Sequence, residues 1–248
     1  MMIDVMKRET DIILSAQESV ALQSLAMMPL QMVGAKVALT LPFEQTATLL
    51  RSIKHHLSPD VEVPVIHFVS PRDGDGSDVI AFELAYVAST QPGKRVLFIN
   101  TGTNSRLVSR QVQAGEAAAS ANTVLENGEE VSAPEGTHFF FTTISDPAAR
   151  DRLLPDSRDF KNVLDGLRKM FDLVVIHSGA ALSSQMAVTL YGLTDGGIIV
   201  AEAESTRVPV IKKLRSTIES HGGRVIGVVL NKRKYYIPRG LYSLLFKS

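Results

Sequence analysis

The stretch SPRDGDGSD (residues 70–78) follows an apolar run, VPVIHFV (63–69), and precedes VIAFELAYVAST (79–90). A strand, a glycine turn and a helix in that order make a phosphate cradle, because successive backbone N–H groups and the helix N-terminus converge on an anion. Gly74 and Gly76 supply the turn, and Ser77 and Asp78 open the helix. The usual electrostatic partners of such a cradle are missing. Ser77 stands where a lysine would neutralise phosphate, and Asp78 stands where a hydroxyl would hold Mg²⁺. Asp73, Asp75 and Asp78 instead bring negative charge to the turn. Two readings are open: residual anion binding, or a tight turn that needs glycine only for its positive φ. Ser77 or Asp78 would also serve as an N-cap for the helix that follows.

Other residues able to do chemistry sit at strand ends. His177 closes the run DLVVIHS (172–178), as a base, a ligand or a structural histidine. His67 and the His55–His56 pair add no spacing that makes a metal site with it. Asp172 precedes its strand and is expected to cap or to face solvent.

The elements that must position these residues are nearly continuous apolar runs: 63–69, RVLFIN (95–100), 172–178, GGIIVAEA (196–203) and RVIGVVLN (224–231), with THFFFTTI (137–144) as a sixth. Such runs predict strands covered on both faces. Helical segments are expected at 43–57, 78–90, 158–170, 182–193 and 208–221. The alternation predicts an α/β fold with a mostly parallel sheet flanked by helices on both faces. Residues 1–40 read as an N-terminal extension and 41–248 as one domain, with 114–136 as a variable loop or short helix.

Composition sets limits. Lys+Arg and Asp+Glu are equal at 26 each among 248 residues, so no global field favours nucleic acid. There is no cysteine, hence no disulfide framework, thiolate ligand or thiol nucleophile. No apolar run is long enough for a membrane span, and the start lacks a signal-peptide apolar region. These features predict a soluble cytoplasmic protein.

From about residue 43 to 239 the chain resembles the cytoplasmic domain of bacterial tyrosine kinases (BY-kinases), within the deviant-Walker P-loop ATPases that include ParA and MinD. FEQTATLLRSIKHHL (43–57) looks like the helix before the P-loop, and SPRDGDGSD like the S-x-x-x-G-x-G-K-[ST] loop. The span from Thr194 to Tyr242 is the most specific match. The resemblance implies a P-loop NTPase-like fold and a role in exopolysaccharide or capsule synthesis and export. It also makes the departures visible. Besides Ser77 and Asp78, Asn100 and Gly102 replace the aspartates of the second Walker element, and His177 replaces that of the third. In the first helix, Gln45 and Thr48 replace charged members of the oligomerisation motif, and only Arg51 matches.

The resemblance with these losses implies a non-catalytic, pseudokinase-like regulator or scaffold that needs no cofactor. Gly74, Gly76, Ser77 and Asp78 would be a vestigial loop. Asn231 would be either the base-reading position of related ATPases or a turn residue. The alternatives are an ATPase or tyrosine kinase using ATP and Mg²⁺ with displaced catalytic residues (Arg72, Lys94 or Arg95 replacing the lysine), and a nucleotide or anion sensor without hydrolysis. The implied partners are a Wzz-type membrane chain-length or export protein, an active kinase paralogue or a glycosyltransferase. Nucleic acid is not among them. Association with the inner face of the cytoplasmic membrane would run through a partner, and the expected state is a monomer or small oligomer. Docking candidates are Arg51 and the basic, aromatic tail with Lys232, Arg233, Lys234, Tyr235, Tyr236, Arg239 and Tyr242. The same tail could instead pack its aromatics on the domain.

Overall fold

A computed structural model describes residues 31–32, 36–102, 129–132, 138–143, 157–181 and 185–233. Nine strands and five helices follow in chain order among these residues: β1 (Gln31–Met32), β2 (Lys36–Leu39), α1 (Phe43–His56), β3 (Val65–Ser70), α2 (Ser77–Ser89), β4 (Arg95–Asn100), β5 (Glu129–Ser132), β6 (His138–Thr143), α3 (Ser157–Met170), β7 (Leu173–Ala180), α4 (Gln185–Tyr191), β8 (Gly196–Glu202), α5 (Val208–Ser220) and β9 (Val225–Asn231).

The main sheet runs β1-β6-β4-β7-β3-β8-β9. Its six long strands are all parallel, and only the two-residue β1 pairs antiparallel, with β6. The mainly parallel sheet expected from the apolar runs is therefore present, with all six runs as strands. The central runs are continuous because both faces are covered. On one face α2 packs Phe82 against Phe98 and Phe139, with ring centroids 5.6 and 5.4 Å apart, and α1 adds Leu50 and Ile53. On the other face α3 buries Phe160, Leu164 and Leu167, while α5 buries Leu214 and Ile218.

Three short strands lie where the sequence reading placed none. Glu129–Ser132 lies in the stretch read as a loop or short helix, yet it forms β5, antiparallel to β2 with Leu39 opposite Glu129. The partners lie far apart in sequence with no turn between them, so no local pattern announces the pairing. The span read as an N-terminal extension contributes β1 and β2, and Leu39 is buried in the core. Glu83 of α2, fully buried, accepts the N–H groups of Thr40 and Leu41 and so fastens the entry to α1.

Parallel strands bring their carboxyl ends to one edge. β3 lies between β7 and β8, and its chain leaves for α2 at that edge, where ligands of such sheets bind. The ends of β4, β7, β8 and β9 therefore surround the glycine turn.

Candidate functional site

The turn after β3 has the backbone that its glycines predict. Gly74 and Gly76 both lie at φ 87°, in the left-handed region. Gly76 has a second reason to be glycine, since a Cβ there would overlap the Asn231 side-chain nitrogen. α2 then starts at Ser77 with its N-terminus facing the sheet edge.

Ser77, Asn100, Gly102 and His177 come together in one buried cluster. Gly179 N–H donates to His177 Nε2 at 3.1 Å, so Nε2 bears the lone pair and Nδ1 the proton. Nδ1 then donates to Asn100 Oδ1 at 3.0 Å, and the same oxygen accepts Gly102 N–H at 3.1 Å. On the other side, Ser77 Oγ lies 2.9 Å from His177 Nε2 and 3.1 Å from Ser70 Oγ. The His177 carbonyl accepts both the N–H and the hydroxyl of Thr101. Gly102 must be small, because a Cβ there would sit 2.9 Å from His177 Cε1. Ser77, Asn100, Gly102 and His177 thus form a mutually fitted set. Burial pushes the His177 imidazole down to about 3, so it is neutral at physiological pH. His67, also buried, has Nε2 2.6 Å from Ser178 Oγ and is pushed down to about 3 by burial and by nearby His177.

The three aspartates of the turn differ in burial: Asp73 is exposed, Asp78 half-buried and Asp75 buried. Asp78 sits in the first turn of α2. Burial raises its carboxyl, while the backbone N–H groups of Asp78 and Val79 and the Lys232 charge act to lower it. Burial also raises the Asp75 carboxyl, and Thr206 donates to it at 3.4 Å.

β9 clamps the turn from outside. Asn231 Nδ2 donates to the Asp75 carbonyl at 2.9 Å, and its Oδ1 accepts Lys232 N–H at 2.8 Å. Lys232, itself at φ 55°, donates from Nζ to the Gly74 carbonyl at 2.7 Å and lies 3.4 Å from Glu202. This contact escaped the sequence reading, which named Arg72, Lys94 and Arg95 as substitutes for the lysine. Two of those candidates are misplaced. Lys94 and Arg95 start β4 at the opposite, amino edge, where Lys94 pairs with Asp172 at 2.9 Å and Arg95 N–H donates to the same carboxylate. A cavity of about 470 Å³ opens at that edge, lined in part by Lys54, Lys94 and Asp172, away from the turn. Arg72 does lie at the turn, donating to the Ser205 carbonyl at 2.7 Å.

The outer candidates are partly in view. Arg51 is exposed on α1 and donates to Thr48 Oγ1 at 2.9 Å. Lys232 and Arg233 are exposed, whereas Lys234, Tyr235, Tyr236, Arg239 and Tyr242 lie outside the described residues.

Carboxylates at the turn set an electrostatic cost on a nucleotide triphosphate placed there. A nucleotide triphosphate carries about four negative charges, and each unit charge placed 4 Å from a carboxylate costs about 4 kcal/mol at an effective dielectric near 20. No lysine opens α2, the cations beside the turn are Arg72 and Lys232, and the strand-end positions next to it hold Asn100, Gly102 and neutral His177.

No family model matches the chain. It is 21% identical over 175 residues to "Tyrosine-protein kinase CpsD" of Streptococcus agalactiae serotype III (strain NEM316), covering 69% of this chain and 75% of that one. Among solved structures it is similar to the kinase domain of Escherichia coli tyrosine kinase ETK, with a TM-score of 0.58 at 16% identity, covering 80% of each chain. It is also similar to the VpsO kinase domain, with a TM-score of 0.55 at 20% identity over 77% of this chain and 97% of that one. A plasmid partition protein from Borrelia burgdorferi shares the fold at a TM-score of 0.51 and 16% identity, over 74% and 86% of the two chains. The chain has the fold of the BY-kinase-like P-loop domains.

Proposed function

We propose that this BY-kinase-like P-loop chain is non-catalytic and acts as a regulatory or scaffolding component of exopolysaccharide or capsule synthesis and export. The observation that carries the reading is the closed cluster of Ser77, Asn100, Gly102 and His177. Each replaces a group that phosphoryl transfer needs, and each bonds to or makes room for another. Asp78 meanwhile brings a carboxylate to the first turn of α2, where a phosphate would approach. Similarity to chains called tyrosine-protein kinases supports the pathway. The proposed partners are a Wzz-type membrane protein, an active kinase paralogue or a glycosyltransferase, met at the inner face of the cytoplasmic membrane. No helix among the described residues is long and apolar enough to cross a membrane. Arg51, Arg233 and the tail residues Lys234, Tyr235, Tyr236, Arg239 and Tyr242 are the proposed contacts.

A second reading, an anion sensor without hydrolysis, is favoured by Arg72 and Lys232, two cations at the mouth of the turn. Incubation of the purified chain with labelled Mg-ATP separates these readings from an active kinase. Both predict no label on its tyrosines, and label abolished by Ser77→Ala would overturn both.

A further inference from the structure

We infer that the open edge of the sheet at β9, together with the start of α5, is a docking surface for an extended acidic segment of a partner protein, added as a further strand. It deepens the scaffolding reading but uses none of the P-loop residues, so it stands or falls separately.

Among the described residues the exposed large apolar side chains are Val208 at 62%, Val228 at 46% and Leu230 at 61%. They belong to β9 and to the first residue of α5. Val228 and Leu230 lie two apart and so share a face of β9. Their register partners on β8, Ile199 and Ala201, are fully buried. α5 covers Ile199 through Leu214 and Ile218, and it leaves the carboxyl half of β9 bare on that face. On the other face Ile226 and Val229 pack on the core cluster that includes Leu50 and Ile53 of α1. β9 pairs with β8 alone among the described residues, and none of these residues supplies a strand to its outer backbone groups. A long apolar edge of this kind is a template for strand addition unless something covers it.

Charge selects the occupant. Residues 204–233 hold seven Lys or Arg against two glutamates, in a chain whose total charge is zero. Arg207, Lys212 and Lys213 of this group are exposed on or beside α5, and Arg224 precedes β9. The partner segment is therefore acidic at its flanks, with apolar side chains at alternate positions to meet Val228 and Leu230. The chain's own residues 234–248 are a poor match, with three Lys or Arg and no acidic residue. A second copy would bring the same positive surface. A strand rather than a lipid surface is favoured because the ladder of β9 offers backbone groups that only a polypeptide pairs.

The test uses the full chain and a fluorescein-labelled peptide, Glu-Glu-Val-Thr-Val-Thr-Val-Glu-Glu, followed by anisotropy. A control peptide has lysine for each glutamate, and phosphatidylserine vesicles form a third arm. The acidic peptide should bind at least tenfold more tightly than the lysine peptide. The double variant Val228→Thr, Leu230→Thr should weaken it at least fivefold while keeping the same melting temperature. Arg207→Glu with Lys212→Glu should also weaken it, whereas Ser77→Ala should not. The inference is overturned if the full chain does not bind the acidic peptide, if the threonine variant binds it equally well, or if the chain binds the vesicles and ignores the peptide.

Discussion

Replacing Gly102 by alanine tests whether the degenerate positions are one fitted cluster or four independent losses. The new Cβ would lie 2.9 Å from His177 Cε1, 3.2 Å from His177 Nδ1 and 3.3 Å from Asn100 Oδ1. The ring is not free to yield, since Asn100 holds one nitrogen and Ser77 and Gly179 hold the other. Overpacking of this kind costs about 1–3 kcal/mol. The backbone of Gly102 is not in the left-handed region, so alanine brings no φ strain. His177→Ala removes the obstacle and by itself costs about 2–3 kcal/mol, through a cavity and the orphaned Gly179 N–H. In that background Gly102→Ala should cost nothing, or stabilise by about 0.5 kcal/mol through the unfolded chain. Urea denaturation of the four proteins, with unchanged m-values, yields the interaction energy of the cycle, expected at about 1–3 kcal/mol. An equal cost of Gly102→Ala in both backgrounds would refute the reasoning.

Further outcomes follow from the same contacts. His67 and His177 are pushed to about 3 in the fold against 6.5 for the free group, so the unfolded chain binds more protons between these values. Their contribution to stability is full above about pH 6.5 and is lost as pH falls towards 3, and His177→Gln should flatten that slope in pH-dependent melting. The raised carboxyls of Asp75 and Asp78 act in the opposite sense and offset part of it. Glu83→Ala orphans the N–H groups of Thr40 and Leu41 and should cost about 2–3 kcal/mol in chemical denaturation. Lys232→Glu turns a carboxylate toward the Gly74 carbonyl and Glu202, so it should lower the melting temperature. Arg233→Glu with Lys234→Glu is the cleaner test of tail docking, and it should weaken partner pull-down with little loss of stability.

The sheet was legible because its central strands are covered on both faces and so read as unbroken apolar runs, as in VIHFV and LVVI. The turn was legible because Gly74 and Gly76 must take positive φ. The pairing of β2 with β5 was not, since four-residue strands with mixed side chains, far apart in sequence, carry no periodic signal. The replaced residues could be listed from the chain, but not that His177 sits between Asn100 and Ser77. That depends on β4 and β7 being neighbours and on the turn lying beside them. The Lys232 clamp was hidden for the same reason: 158 residues separate it from Gly74, and only the strand order brings them together.

The central claim is that the cradle is closed to nucleotide by its own side chains. Calorimetric titration of Mg-ATP into the purified full chain tests it most directly, run beside Ser77→Lys with Asp78→Thr. No saturable heat is predicted for the natural chain, and the double variant should gain weak binding without turnover because Asn100, Gly102 and His177 remain. A micromolar, Mg²⁺-dependent dissociation constant for the natural chain would contradict the account.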